Sequence, residues 1–387
     1  LLAASVLPAV PAGADISVDL GRGPVNVNVP AGYDPGVPAP LVILLHGFTS
    51  SGAGTEAYLQ FTPLSEEFGF LFAHPDGTVN GTGQRFWNAT PACCGFGSTV
   101  DDSGYLRSLV DEIKIQLNVD PDRVWFAGHS NGGFMSYRMA CDHADAVAAI
   151  ASFAGATYDD PLDCAPTNPV HVLQLHGTND ATILYNGGNL VGNPYPGAVQ
   201  SAETWATYNG CTLVTDTSLP PLDMVATIAG AETSVTRYID GCSGAEAELW
   251  TSAGGGHVPT ISATFSRSII EWFYAHPRAG SAVDAPPSVT AAAGTGLELR
   301  APAPNPTRGA STLSWYQPRT AGADLAIYDV RGRKVRQLFV DVAAAGSHAV
   351  LWDGTDREAR AVAPGTYFAR IAAAGDVRTV KIQVASR

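Results

Sequence analysis

A serine flanked by two glycines lies where an apolar run gives way to a helical pattern. The run covers residues 123–127, the segment Gly128-His129-Ser130-Asn131-Gly132 follows, and residues 134–141 have the character of a helix. A strand, a tight turn and a helix are the context in which G-x-S-x-G forms a nucleophile elbow, because the strained turn pushes the serine hydroxyl out beyond the sheet edge. The segment predicts Ser130 as the nucleophile of a serine hydrolase.

A serine hydroxyl is a poor nucleophile at neutral pH, so it needs a base within hydrogen-bond reach and a carboxylate that orients the base. In elbow hydrolases these partners follow in the order serine, acid, histidine. Asp180 lies in the loop after the apolar run 170–175, and His257 ends the glycine-rich segment 254–257. We predict Asp180 as the acid and His257 as the general base; the alternative acids are Asp159, Asp160 and Asp163.

The oxyanion that develops during acyl transfer needs two N–H donors. One should be the backbone N–H of Asn131, directly after the nucleophile. The other should be that of Phe48, in the loop 46–49 after an early strand. The alternative for this loop is a simple glycine turn.

Three further histidines lie beside these motifs: His46, His129 and His176. We expect them to be structural or to line the pocket rather than to act as the base, and we assign His129 to substrate contact. Acyl transfer by a serine, a histidine and an aspartate requires no cofactor and no metal.

Strand-like and helix-like runs alternate from about residue 16 to residue 276, which predicts an α/β fold with a mostly parallel sheet flanked by helices. A helical pattern covers 105–117, with Asp101, Asp102 and Ser103 available to cap it, and the last helical pattern covers 264–276. The predicted buried strands are the runs 41–45, 70–73, 124–127, 147–150 and 170–175.

The end of the chain has a different pattern. Residues 277–298 are rich in Ala, Pro and Gly without apolar periodicity, which indicates a linker. Short alternating segments split by turns then predict a small all-β sandwich over residues 299–387. Its predicted strands are 310–316, 324–330, 334–340, 347–352 and 365–371.

The first residues are apolar and end in the small-residue segment Ala12-Gly13-Ala14. This pattern predicts the remnant of a secretory signal over residues 1–14, and an ordinary apolar terminus is the alternative. The α/β domain would then cover residues 15–276. No later stretch is long and apolar enough to predict a transmembrane segment.

Six cysteines all lie before residue 243, and an even number in an exported chain predicts up to three disulfides. Cys211 with Cys242 is the favoured pair; the pairing of Cys93, Cys94, Cys141 and Cys164 is left open. The adjacent Cys93-Cys94 and the lack of any C-x-x-C do not match zinc-ligand spacing.

The net charge of −14 is unevenly distributed. Residues 299–387 contain 13 basic and 7 acidic side chains, so this part is basic and the preceding part carries a charge near −20. A strongly acidic domain repels nucleic acid and acidic polymers, which favours neutral substrates.

With these residues placed, the chain resembles the extracellular polyhydroxybutyrate depolymerase and feruloyl esterase-like group of the α/β-hydrolases. The matching segments are 45–48, 86–88, 93–95, 100–102, 128–133, 176–180 and 254–257. The resemblance implies Ser130 as nucleophile, Asp180 as acid and His257 as base. It also implies a disulfide-bearing loop near Trp87 at the mouth of the site.

The chain departs from this group just after the histidine. The group often has an aromatic Thr-Trp-Pro turn there, whereas here Val258-Pro259 follows directly. The departure removes one aromatic wall and leaves the preferred acyl or alcohol group open. We expect Trp87 to supply a stacking surface for substrate instead, and a buried core tryptophan is the alternative.

The last domain resembles the immunoglobulin-like carboxy-terminal modules of secreted bacterial proteins, some of which are type IX sorting domains. The matching segments are 304–306, 327–333, 351–354 and 364–368. The resemblance implies export or attachment to the cell surface, with recognition by a secretion system. Substrate adhesion is the alternative role.

Together these features predict a secreted or cell-surface bacterial serine esterase that acts through an acyl-enzyme. Its expected substrates are polymeric esters: polyhydroxyalkanoate-type polyesters, or feruloyl and acetyl esters of plant polysaccharide. The alternatives are a serine peptidase with the same triad and a non-catalytic surface binding protein.

Overall fold

The computed structural model describes residues 13–278, 297–299, 302, 305, 307, 311–343, 346–358, 360–373 and 375–385. The chain divides into two compact units, residues 1–287 and 288–387. Most of the predicted signal remnant over 1–14 and of the predicted linker over 277–298 lies outside the described residues, as do Pro304 and Pro306.

The first unit alternates strands with helices. Its strands are β1 (Ile16–Asp19), β2 (Pro24–Asn28), β3 (Ala39–Leu45), β4 (Leu71–Ala73), β5 (Thr78–Val79), β6 (Arg85–Phe86), β7 (Val119–His129), β8 (Ala149–Phe153), β9 (His171–Gly177), β10 (Gly187–Leu190), β11 (Asn193–Pro196), β12 (Thr233–Tyr238) and β13 (Ala247–Ser252). Its helices are α1 (Gly52–Leu59), α2 (Phe61–Phe68), α3 (Asp102–Gln116), α4 (Asn131–Asp142), α5 (Ala198–Tyr208) and α6 (Phe265–Ala275), with a 3-10 turn at Pro161–Asp163.

Nine of these strands form one sheet in the order β1-β2-β4-β3-β7-β8-β9-β13-β12. The six central strands from β4 to β13 are parallel, and the strands outside them pair antiparallel. In a parallel sheet the carboxyl ends of neighbouring strands meet at one edge, where ligands bind. The loops after β3, β7, β9 and β13 therefore lie at the same edge of the sheet.

Alternate side chains of each central strand enter different cores. Leu41 and Ile43 of β3 pack into the core on one face of the sheet, whereas Val42 and Leu44 pack into the core on the other face. Helix α3 covers the first face through Leu109, and α6 covers the second face through Ile269 and Phe273 among others. Burying such side chains contributes about 1.5–3 kcal/mol each, before the entropy of ordering the chain is subtracted. This packing makes the sheet a rigid support for its edge loops.

Three disulfides lie in the first unit. Cys211 pairs with Cys242, which confirms the pairing favoured from the sequence. Cys141 pairs with Cys164, and the adjacent Cys93 and Cys94 pair with each other. These pairs resolve the connectivity that the sequence left open.

The second unit contains only antiparallel strand pairs among its described strands. They are β14 (Glu298–Leu299), β15 (Ser311–Gln317), β16 (Ala321–Asp329), β17 (Lys334–Ala343), β18 (Gly346–Trp352), β19 (Gly365–Ala373) and β20 (Asp376–Val384). They form two sheets, β14-β15-β18 and β17-β16-β19-β20, and Trp315, Leu325, Trp352 and Ile371 are buried in their common core. The fold class predicted for each unit is therefore confirmed.

No helix among the described residues combines the length and the hydropathy needed to cross a bilayer.

Candidate active site

Ser130 lies at the turn between β7 and α4, with φ of +55° and ψ of −118°. This left-handed backbone is costly for a residue with a side chain, and such strain concentrates at functional sites. The turn is also too tight for larger residues on either side: a Cβ on Gly128 would collide with the carbonyl of Gly132, and one on Gly132 with the carbonyl of Leu45. The local structure is that of a nucleophile elbow.

His257 lies in the glycine-rich loop after β13, between the serine and the acid. Its Nε2 is 2.9 Å from the hydroxyl oxygen of Ser130, and its Nδ1 is 2.7 Å from Oδ2 of Asp180. With a proton on Nδ1, the ring donates to the carboxylate and accepts the serine proton at Nε2. The structure thus brings the three residues of the predicted triad together in the required order.

The Asp180 side chain is buried in the loop after β9. Burial alone would raise the pKa of this carboxyl, but hydrogen bonds from His176 and His257 and from the backbone N–H of Thr182 outweigh burial and lower the pKa below its usual range. Oδ1 accepts from the N–H groups of Thr182 and Ile183 at 2.8 and 2.9 Å. Asp180 is therefore ionised at neutral pH. The alternative acids Asp159, Asp160 and Asp163 are exposed, and Asp160 caps the 3-10 turn through the N–H of Leu162.

His176 holds Asp180 in place through a buried hydrogen-bond network. Its Nδ1 accepts from the amide of Gln174 at 3.1 Å, and its Nε2 donates to the carbonyl of Ile183 at 2.8 Å and lies 3.3 Å from Oδ2 of Asp180. Gln174 in turn accepts from the hydroxyl of Tyr137 at 2.8 Å. This buried network fixes the carboxylate, which agrees with the structural role predicted for His176.

Two backbone N–H groups flank the serine. Asn131 is the first residue of α4, where N–H groups lack a partner within the helix. In the loop after β3, the N–H of Thr49 donates to the carbonyl of Arg85 and that of Ser50 to the carbonyl of Gly47. Within the described part of the chain, the N–H of Phe48 has no such acceptor. Phe48 and Ser130 line one cleft, and the role of the Phe48 and Asn131 N–H groups as an oxyanion hole stays a prediction.

Two of the remaining histidines are held in the neutral form by their surroundings. His46 accepts from the N–H of Gly77 at Nε2 and donates from Nδ1 to the carbonyl of Gly47, both at 2.8 Å. Burial lowers the pKa of His129 to about 4, and its Nε2 donates to the carbonyl oxygen of His257 at 2.7 Å. His129 therefore holds the loop of the base in addition to lining the cleft.

An open cleft of about 720 Å³, counting space shared with solvent, lies over the serine. Ser130 and His257 line it, and so do Phe48, Tyr58 and Val258. The cleft gives an ester direct access to the serine hydroxyl.

Trp87 does not line this cleft. Its side chain has no exposed surface and packs 5.1 Å from the ring of His46, so it is the core tryptophan that the sequence left as an alternative. The predicted stacking of substrate on Trp87 is wrong for this reason. The side-chain amide of Asn131 instead holds the Trp87 backbone, accepting from its N–H at 2.7 Å and donating to its carbonyl at 2.9 Å.

The sequence also did not reveal the role of Asp102. Asp101 caps α3 by accepting from the N–H of Gly104, whereas Asp102 is fully buried. The Asp102 carboxylate pairs with Arg22 and accepts from the backbone N–H of Asn88 at 2.6 Å. It thereby ties the loop after Trp87 to the first turn of α3. The sequence alone does not show which of two adjacent aspartates caps the helix and which forms a buried ion pair.

A second cluster of titratable groups lies away from the cleft. Glu246, Glu248 and His276 offer ligand atoms within 4.8 Å of one another. His276 Nε2 is 2.6 Å from Glu246, and Nδ1 is 2.6 Å from the carbonyl of Trp272. Both ring nitrogens therefore have partners within the protein, which is the arrangement of a structural ion pair.

Comparison with known proteins gives a consistent result for the two units. The family model described as "Putative esterase" matches residues 21–218, just over half of the chain. The model described as "FlgD Ig-like domain" matches residues 303–376, which confirms the immunoglobulin-like class predicted for the second unit.

Among curated proteins, feruloyl esterase B from Piromyces equi is 34% identical over 196 residues, covering 49% of this chain and 36% of the relative. Poly(3-hydroxyalkanoate) depolymerase C from Paucimonas lemoignei is 29% identical over 148 residues, covering 36% of this chain and 34% of the relative. The chain thus spans little more than a third of the length of either protein. Among solved structures, the acetyl xylan esterase from Aspergillus awamori aligns with a TM-score of 0.48 and 19% identity, covering 67% of this chain and 99% of its own.

Proposed function

Because this chain belongs to the esterase family whose model it matches, we propose that it is a serine carboxylic-ester hydrolase that works through an acyl-enzyme. The observation that carries the proposal is the continuous hydrogen-bonded line from Ser130 through His257 to Asp180. The catalytic unit would be the α/β domain over residues 15–276.

In the first half of the reaction, the hydroxyl oxygen of Ser130 attacks the ester carbonyl while Nε2 of His257 takes its proton. The carbonyl oxygen becomes an oxyanion held by the N–H groups of Phe48 and Asn131. The ionised Asp180 stabilises the imidazolium that forms. The imidazolium then protonates the leaving alcohol as the C–O bond breaks, which leaves the acyl group on Ser130.

In the second half, a water molecule occupies the place of the alcohol. His257 takes a proton from the water, the hydroxide attacks the acyl carbonyl, and the imidazolium returns the proton to Ser130. The products are a carboxylic acid and a regenerated enzyme. The same groups serve both halves, so the mechanism needs no further catalytic residue.

For the substrate we propose polymeric esters: polyhydroxyalkanoate-type polyesters or feruloyl and acetyl esters of plant polysaccharide. The similarity to a feruloyl esterase and to a poly(3-hydroxyalkanoate) depolymerase supports this range. The acidic first unit supports neutral rather than anionic substrates, since a charge near −20 repels polyanions.

We further propose that the enzyme works outside the cytoplasm. Three disulfides in one unit support this location, because such bonds persist in oxidising compartments. The basic immunoglobulin-like unit would then serve in export, surface attachment or adhesion to the polymer. Deleting residues 288–387 should lower turnover of an insoluble polymer and spare soluble esters if adhesion is its role, and equal change on both would refute adhesion.

The experiment that tests the enzyme is hydrolysis by the purified chain and by Ser130→Ala. The substrates are p-nitrophenyl acetate, methyl ferulate, acetylated xylan and a polyhydroxybutyrate film. We expect Ser130→Ala to lower kcat by about five to six orders of magnitude, since this serine forms the covalent intermediate. The matched control is Ser108→Ala, because Ser108 is exposed on α3 and, among the described residues, its hydroxyl bonds only to the carbonyl of Gly104. Unchanged turnover in Ser130→Ala would refute the assignment.

A further inference from the structure

An aromatic pair stands beside the oxyanion loop. The rings of Phe48 and Phe96 meet edge to face, with centroids 6.1 Å apart and planes at 83°. Phe48 lines the same cleft as Ser130. Phe96 is 45% exposed although it is a large apolar side chain. The pair therefore extends the wall of the cleft outward with an accessible aromatic surface.

Phe96 is held in this place at a cost. Its φ is +42°, in the left-handed region where a bulky side chain is disfavoured by about 1–2 kcal/mol. An exposed ring regains little of this cost from burial, so core packing does not explain the conformation. Strained residues that pack poorly are found preferentially at ligand-binding sites. The backbone strain is thus a second observation that points to a ligand.

The loop that follows Phe96 is held by Asn88, which is itself held by α4. The side-chain amide of Asn88 donates to the carbonyls of Ser98 and Val100 at 3.2 and 2.8 Å. The carbonyl of Asn88 accepts from Arg138 of α4 at 2.5 Å. A fixed loop presents the ring in one position, which lowers the entropy lost when a ligand stacks on it.

The order of strands indicates which half of the ester meets this pair. Phe48 follows β3 on one flank of β7, whereas His257 follows β13 on the other flank. The alcohol must leave next to Nε2 of His257, since that atom protonates it. The acyl half therefore extends towards the Phe48 flank.

The surroundings of Phe96 also indicate the kind of acyl group. Phe96 lines a groove whose other walls include the polar side chains of Asn88, Ser98 and Tyr158. A phenolic ring has an apolar face that packs edge to face or offset on an aromatic side chain, and a hydroxyl edge that forms hydrogen bonds. An aliphatic acyl chain uses only the first of these features.

We propose that Phe96, backed by Phe48, is the specificity-determining platform for a hydroxylated aromatic acyl group. The proposal rests on the proposed ester hydrolysis and names the acyl class that this site prefers. Phe96 acts by binding the acyl ring and takes no part in proton transfer.

The test compares two soluble esters that carry their aromatic ring in opposite halves. Methyl ferulate has an aromatic acyl group and a methyl alcohol, whereas p-nitrophenyl acetate has an acetyl group and an aromatic alcohol. The variants are Phe96→Gly, which accommodates the positive φ without strain, and Phe96→Leu, which keeps an apolar side chain without the ring. Leu162→Ala is the matched control, because Leu162 is 90% exposed in the 3-10 turn.

We expect Phe96→Gly to lower the ratio of kcat/KM for methyl ferulate to that for p-nitrophenyl acetate about tenfold. Phe96→Leu should lower the ratio less, and Leu162→Ala should not change it. An unchanged or increased ratio in Phe96→Gly overturns the proposal, as does a wild-type enzyme that hydrolyses p-nitrophenyl acetate but not methyl ferulate. A wild-type enzyme without Ser130-dependent turnover of either ester instead shows that the proposed function fails, and the proposal with it.

Discussion

Two histidine–carboxylate pairs lie near opposite edges of the main sheet, and only one of them has a nucleophile beside it. Past the carboxyl ends of the strands, His257 is 2.7 Å from Asp180. Near the amino end of β13, His276 is 2.6 Å from Glu246. The two pairs differ in what the other ring nitrogen faces. Nε2 of His257 faces the hydroxyl of Ser130, whereas Nδ1 of His276 faces the carbonyl of Trp272.

The group that faces this other ring nitrogen decides whether the histidine can act as a base or has a structural role. A hydroxyl can donate, so the ring of His257 can accept a proton from Ser130. A carbonyl only accepts, so Nδ1 of His276 donates to Trp272 and cannot take a proton from that neighbour. A histidine beside a carboxylate becomes a general base only where its other nitrogen faces a proton donor.

The largest effect is expected from Asp180→Asn. This change keeps the size of the side chain but removes the charge that orients His257 and stabilises its protonated form. We expect kcat on p-nitrophenyl acetate to fall about ten thousandfold. Glu246→Gln is the matched change at the other pair, and its kcat should remain within about twofold of wild type. Similar kcat losses in both variants would abolish the distinction between the pairs.

A smaller effect, on stability instead of activity, is expected from Glu246→Gln. Burial tends to raise the pKa of Glu246, but the hydrogen bond with His276 outweighs burial and lowers it. A lowered pKa means that the charge stabilises the folded state above the pKa of the unfolded chain, and that this stability is lost as the pH falls through the folded pKa. Urea unfolding should show Glu246→Gln less stable than wild type by about 2 kcal/mol at pH 7, with a smaller difference near pH 3. A difference independent of pH would contradict this account.

The smallest effect is expected at His171, whose ring lies 4.9 Å from that of His276. Burial, with a contribution from His276, lowers the pKa of His171 to about 3, and its Nδ1 accepts from the N–H of Glu246 at 3.1 Å. Between pH 6.5 and about 3 the unfolded chain binds a proton that the folded chain does not, so this residue makes the free energy of unfolding fall as the pH falls.

His171→Asn keeps an acceptor but cannot titrate. We expect the loss of stability between pH 7 and pH 5 to be about 1 kcal/mol smaller than in wild type. His74→Asn, outside this cluster, is the control. An identical pH dependence in wild type and His171→Asn would show that His171 does not contribute.

The sequence predicted the catalytic groups because each carries a local signal. The elbow around Ser130 is contiguous, and Asp180 and His257 follow in the order that the fold requires. The five predicted core strands all appear in the sheet, since buried strands are continuous apolar runs. Their ends were less well predicted: β7 begins at Val119, which pairs with Ala39 of β3, and the polar segment 120–123 forms an irregularity before the pairing resumes at Val124.

The residues that hold the site were not predicted because their partners are distant in the chain. Asp102 binds Arg22, 80 residues away, and Asn131 holds the backbone of Trp87, 44 residues away. The burial of Trp87 follows from those long-range contacts, so an aromatic residue near a motif cannot be identified as core or cleft from its neighbours alone. Phe96 was likewise not singled out, since neither its exposure nor its positive φ can be read from the sequence.

The way in which His257 is held matters for protein engineering. His129 fixes the main-chain carbonyl of His257, and Asp180 fixes its ring. Neither contact involves the side chain of the next residue, Val258, which lines the cleft and is 64% exposed. A library of substitutions at position 258 can therefore change the wall of the cleft that meets the substrate. The contacts that hold the triad would stay in place.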